Sequence, residues 1–109
     1  MNEALGPNPE LLRDVVERVT AAVHPSRIIL FGSAAHGELG ADSDLDVLVV
    51  MPDGTHRRKT VQFLHTRMFG LGAPVDILVA TPLDLERHRD NIGLIYRTIL
   101  LEGREIYVA

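Results

Sequence analysis

Cysteine and tryptophan are missing from this 109-residue chain, and aromatic residues together make up only 5% of it. Without cysteine there is no disulfide, no thiolate zinc site and no cysteine nucleophile. No apolar run approaches the ~18 residues that a membrane span needs. The opening stretch, MNEALGPNPE, is acidic and carries prolines, with neither the basic start nor the apolar core of a secretory signal. A basic balance is missing as well: the formal net charge is −4, which argues against binding nucleic acid through a broad basic face. Two bound divalent cations would cancel that charge. There is no internal repeat and no low-complexity segment. What remains is an ordinary globular composition, 46% hydrophobic and 24% charged. It predicts a single domain over residues 1–109, with 1–8 as a flexible lead-in and the cytoplasm as the simplest location.

The apolar pattern orders the chain. Asn8-Pro9-Glu10 reads as a helix start, with asparagine as N-cap, proline in the first turn and an acid beside the helix dipole. Leu11, Leu12, Val15, Val16, Val19, Ala22 and Val23 then recur at helical spacing, and His24-Pro25 ends the helix. Arg27 to Phe31 is a strand; Gly32 turns the chain, and Ser33 to His36 suits a short helical turn before Gly37 and Gly40. Asp44 to Met51 is the second strand, and Pro52-Asp53-Gly54 is a turn. A helix is expected from Thr55 to Phe69 with Val61, Leu64 and Met68 inward, then a third strand from Val75 to Val79. Thr81-Pro82-Leu83-Asp84 is a capping-box start. Its helical stripe continues through Ile92, Ile95, Tyr96, Ile99 and Leu100 to a glycine cap at Gly103. Arg104 to Val108 closes the chain as a strand with Ile106 and Val108 on one face. The order α-β-β-α-β-α-β predicts an α+β fold, one small mixed sheet backed by helices.

The chemistry concentrates between Ile28 and Val50. Asp44 and Asp46 stand two apart on a strand, so their side chains leave one face about 7 Å apart at the Cα level. Two ionised carboxylates that close repel each other, and no cation adjoins them in sequence. Hard divalent cations compensate such a pair, and magnesium is commonly held by one or two carboxylates plus substrate phosphates. Asp76 supplies a third carboxylate if its strand is a neighbour, completing what a two-metal site requires. Gly32-Ser33 is the complementary half: a glycine turn leading into a helical turn points free N–H groups outward toward a phosphate. A phosphate cradle beside an acid cluster reads as phosphoryl or nucleotidyl transfer.

Gly32-Ser33, ten intervening residues and Asp44-Leu45-Asp46 match the GS-x10-DxD motif, and the chain therefore resembles the DNA polymerase β-like nucleotidyltransferase superfamily. Val75-Asp76-Ile77-Leu78 is similar to that family's third-acid strand. With nothing beyond the core, the chain resembles the minimal nucleotidyltransferase (MNT) group. The resemblance implies the polymerase β-like core and a set of roles. Asp44 and Asp46 would ligate two magnesium ions; Asp76 would ligate the catalytic one and orient or deprotonate the attacking hydroxyl. Gly32 and Ser33 would hold the β- and γ-phosphates of a nucleoside triphosphate, ATP by expectation. It further implies a helical HEPN-type partner encoded nearby, with the minimal enzyme as antitoxin moving AMP to a tyrosine of the toxin.

Each reading has a plainer rival. The acids could cap a solvated strand end, Asp76 could be an edge-strand surface acid, and Gly32-Ser33 could be a tight turn. Asp42 and Ser43 read as caps of the loop before the acids. Arg57, Arg58 and Lys59 read as a solvated helix start, although cations at a helix N-terminus are electrostatically awkward and would suit a ligand-facing role; Arg27 and Arg97 are open in the same way. The five histidines lack zinc-ligand spacing. Tyr96 is expected in the core and Tyr107 at the surface. Two rival functions stand beside the transferase: a catalytically idle module that occludes a helical partner, and an enzyme modifying a small aminoglycoside-like hydroxyl compound. Self-association stays open.

Overall fold

A computed structural model describes residues 8–32, 44–88 and 95–109. The expected helical turn over Ser33 to His36, the residues Gly37, Gly40, Asp42 and Ser43, and the lead-in up to residue 7 lie outside the described residues. The elements are α1 (Pro9–Ala22), β1 (Arg27–Phe31), β2 (Leu45–Val50), α2 (Arg57–Thr66), β3 (Val75–Ala80), α3 (Pro82–His88), α4 (Ile95–Glu102) and β4 (Arg104–Val108). The four strands form one mixed sheet in the order β3-β2-β1-β4. β1 pairs antiparallel with both β2 and β4, whereas β2 and β3 run parallel. The parallel pair follows from the helix between them, since a crossover returns the chain to the same end of the sheet.

The alternation of each strand divides the core into two. Ile28, Leu30, Leu45, Val47, Val49, Ile77 and Val79 pack against Leu12, Val15 and Val19 of α1 and Leu64 of α2. On the other face Ile29, Leu48, Val50 and Ala80 meet Leu85 of α3 and Ile99 of α4, with Phe31, Leu78 and Tyr96 at the margin. Both clusters are built from side chains that each stabilise by roughly 1.5–3 kcal/mol when fully buried. Asn8 caps α1, its side chain accepting from the Glu10 N–H at 2.8 Å.

Several boundaries differ from the sequence reading. Helix α2 starts at Arg57 because the Thr55 hydroxyl donates to the Pro52 carbonyl at 2.7 Å and belongs to the preceding turn. It ends at Thr66, where the Arg67 and Met68 N–H groups reach back to Leu64 and His65 in tight turns. Arg18 then donates to the carbonyls of Arg67 and Phe69, so Met68 is buried beyond the helix rather than within it. Of the helical stripe expected from Thr81 onward, α3 and α4 are the described parts; residues 89–94, Ile92 among them, lie outside the described residues. Gly103 is required for space and not for a left-handed cap: a Cβ there would come within 2.5 Å of both the Ile29 Cγ2 and the Ile99 carbonyl, and its φ is not positive. In β4 the register shifts opposite Ile28 and Ile29, which turns both Ile106 and Tyr107 partly inward. Tyr107 is therefore half-buried rather than exposed, and Val108 is exposed rather than paired with Ile106 on one face.

Candidate active site

Topology gathers the acids at one end of the sheet. β1 finishes there with Phe31 and Gly32, while β2 and β3 both begin there. Asp46 lies opposite Phe31 on one side and opposite Asp76 on the other. Residues in register on neighbouring strands project to the same face, about 4.7–4.9 Å apart. That face is the α3/α4 side, since Leu48 and Val50 follow Asp46 at two-residue steps. Asp44 stands one residue ahead of β2. Asp44 and Asp76 are exposed and Asp46 is half-buried.

Gly32 has a φ of 73°, in the region that favours glycine. A Cβ at this position would lie 2.6 Å from Asp46 Oδ2. The backbone of the turn therefore lies directly against the carboxylate, and no other residue fits there without displacing it. Ser33, the other half of the expected phosphate cradle, lies outside the described residues.

Burial raises the pKa of Asp46, and the neighbouring charges of Asp76 and then Asp44 raise it further. The three carboxylates thus share one field. Among the described residues no cation or hydrogen-bond donor relieves them. An all-oxygen, like-charged donor set of this kind fits a hard divalent cation such as magnesium. Among the described residues no three acidic or histidine side chains are gathered closely enough to hold an ion between them as they stand. Phe31, which the sequence reading left as a strand residue, is a neighbour of the site: it stands opposite Asp46 in register, on the side away from Asp76. Its position immediately before Gly32 was the available signal.

The other residues weighed from sequence lie elsewhere. Arg57 is at the far end of the sheet, its Nη1 3.2 Å from Asp84 Oδ2. There Asp84 accepts from the Thr81 N–H at 3.0 Å and the Thr81 hydroxyl at 3.1 Å, and its own N–H returns to that hydroxyl at 3.2 Å, forming the expected capping box. Burial works against the Asp84 carboxylate, but the two Thr81 bonds, then Arg57 and His88, outweigh it and hold its pKa below the ordinary value. Arg27 pairs with Glu105 at 2.6 Å. Arg97 is exposed on α4. Tyr96 packs against the second cluster and stacks on His88, ring centroids 5.9 Å apart.

With this geometry in hand, a family model for the nucleotidyltransferase domain matches residues 9–108. The chain belongs to that family. Its general chemistry is accordingly the transfer of a nucleoside monophosphate. No curated protein matches the sequence. Among solved structures, the chain is similar to a Sulfolobus solfataricus protein named as a candidate nucleotidyltransferase, determined at 1.40 Å. The two share 24% identity, with a TM-score of 0.55, over 72% of this chain and 70% of that one. At that identity the likeness carries the fold, a small mixed sheet backed by helices. No described helix of this nucleotidyltransferase is long and apolar enough to cross a membrane.

Proposed function

We propose that the protein is a cytoplasmic minimal nucleotidyltransferase that moves AMP from ATP to a hydroxyl, the acceptor being a tyrosine of a HEPN-type toxin, so that the enzyme acts as its antitoxin. The observation that carries the reading is the alignment of Asp46 with Asp76 beside the turn at Gly32. In this reading Gly32 and Ser33 hold the β- and γ-phosphates of ATP. Asp44, Asp46 and Asp76 would hold two magnesium ions, which would supply charge neutralisation for the transfer. Asp76 accepts the proton of the attacking hydroxyl. A new bond forms from that oxygen to the α-phosphorus, the bond from the α-phosphorus to pyrophosphate breaks, and the phosphodiester product carries AMP. The raised pKa of Asp46 supports the assignment, because perturbed carboxylates cluster at functional sites.

The test mixes the chain with the product of its neighbouring gene, labelled ATP and magnesium, and reads intact masses of both proteins. A gain of AMP on the partner, lost in Asp44→Asn, is the expected result. A complex with no change in mass would replace the transferase reading with that of an occluding module. Transfer to an aminoglycoside but not to the partner would make the enzyme a small-molecule transferase.

A further inference from the structure

The chain's charge is segregated. Between Asp53 and Asp76 there is no acid and there are four cations, Arg57, Arg58, Lys59 and Arg67; the remaining seven cations share the chain with all 15 acids. All four are exposed on α2 or at its end. The first turn of α2 holds three of them and no acid, against the preference of the helix dipole. A local rule broken in this way, compensated among the described residues at Arg57 alone, points to a surface selected for something other than the helix. Arg57 is paired with Asp84. Among the described residues, Arg58, Lys59 and Arg67 have no acidic partner.

Two of the chain's three phenylalanines share that surface. Phe63 is 39% exposed and Phe69 is 82% exposed. Lys59 and Phe63 occupy successive turns of α2, and Arg67 stands one turn further on with its guanidinium 4.9 Å from the Phe63 ring centre. Alongside runs a groove of about 390 Å³ between α1 and α2, lined by Arg18, Ala21, Ala22, Phe63 and Arg67. Arg18 is already engaged, by Asp14 and by the carbonyls of Arg67 and Phe69. On this surface the cations left without an acidic partner, Lys59 and Arg67, therefore stand beside the half-exposed ring of Phe63 and lead to the open ring of Phe69.

We infer that this face of α2, with Phe69 beyond it, binds a single-stranded polynucleotide: phosphates against Lys59 and Arg67, which share the face with Phe63 at four-residue steps, and a base stacked on Phe69. Every unit of such a strand presents one negative charge and one flat ring, which matches cations alternating with aromatic side chains. The net charge of −4 rules out a broad basic footprint but not a stripe of this size, because charges more than about 8–10 Å away are largely screened. The surface lies on the α1/α2 side of the sheet, and its Phe69 end leads through the loop into Asp76. The inference is independent of the acceptor proposed above.

The experiment titrates the full chain into a labelled oligouridylate of about 12 nucleotides and follows anisotropy in chelator without nucleotide, so that transferase failure and binding failure are read separately. Saturable binding is expected, with log K falling against log salt at a slope of about −1.4 for two phosphate contacts. Lys59→Ala and Arg67→Ala should each flatten that slope by about 0.7. Phe69→Ala, at an exposed position, should weaken binding roughly tenfold through lost stacking while leaving an abasic oligomer unaffected. Asp44→Asn, and Arg104→Ala on the opposite edge strand, should bind as the parent does. Absence of binding overturns the inference. So does binding that polyglutamate competes away as well as oligouridylate does and that Phe69→Ala leaves unchanged, which would make the face a dock for acidic polypeptide.

Discussion

Replacing Asp76 by asparagine should stabilise the protein in the absence of divalent cations. Asp46 has a raised pKa, first through burial and then through Asp76 and Asp44. Its ionised form is therefore disfavoured in the folded chain relative to the unfolded one. A carboxylate of this kind favours folding below its unfolded pKa of 3.8, and that contribution is lost as pH rises through the folded value. At neutral pH the repulsion is present in full. For unit charges on adjacent strands about 5 Å apart, it amounts to roughly 1 kcal/mol at water-like permittivity, the appropriate choice beside the exposed Asp76. Asp76→Asn removes that charge at nearly constant shape, so the midpoint of thermal unfolding should rise by about 4–8 °C in chelator at pH 7. The gain should fade as pH approaches 4. Magnesium should raise the midpoint of the parent and raise the variant's less, since the variant has both less repulsion to relieve and one ligand fewer. Circular dichroism melts with and without magnesium at two pH values give all four numbers. A variant that melts at or below the parent in chelator would refute the claim that these carboxylates are an uncompensated cluster.

Three further substitutions probe the scaffold and the site. Gly32→Ala meets both a φ of 73° and the Asp46 carboxylate. It should keep the far-ultraviolet spectrum while cutting nucleotidyl transfer by about 100-fold, as an ångström-scale misplacement does; parental turnover would show that Gly32 does not set the Asp46 position. Asp84→Ala leaves the Thr81 donors without their acceptor and α3 without its cap, and should cost about 1–2 kcal/mol in urea unfolding. Because the Asp84 pKa is depressed, that contribution is present above its unfolded value and is lost as pH falls through the folded one, so parent and variant should converge in acid. Leu64→Ala opens the cluster beneath α2, where the side chain is fully buried, and should cost about 2–5 kcal/mol with the urea dependence unchanged.

The sequence carried the elements wherever a single physical signal ruled. Strand alternation placed Leu45, Val47 and Val49 on one face and Asp46 on the other, and the capping chemistry of Asn8 and Thr81 set two helix starts. The fold failed to follow the pattern where tertiary contacts competed. Arg18 reaches across from α1 to cap the carbonyls after α2, which no local spacing records, and the register shift in β4 depends on its partner strand. At the site, Asp44 and Asp46 were legible as a pair, but the placing of Asp76 in register with Asp46 rests on a parallel pairing that only the fold provides. Gly32 shows the same division: its turn was readable, whereas its second constraint, the Asp46 oxygen lying where a Cβ would be, belongs to three dimensions. Net charge has a related limit: it speaks against a broad basic face and is silent on a local stripe. A sum over the chain averages an acidic majority with one acid-free stretch, and only the fold places that stretch on an exposed helix beside Phe63 and Phe69. Both ends of α2 thus carry information that composition erased: its cations turn outward, away from the carboxylate cluster. The charges that would serve a nucleotide and those that would serve a strand are held on opposite faces of one sheet, where neither neutralises the other.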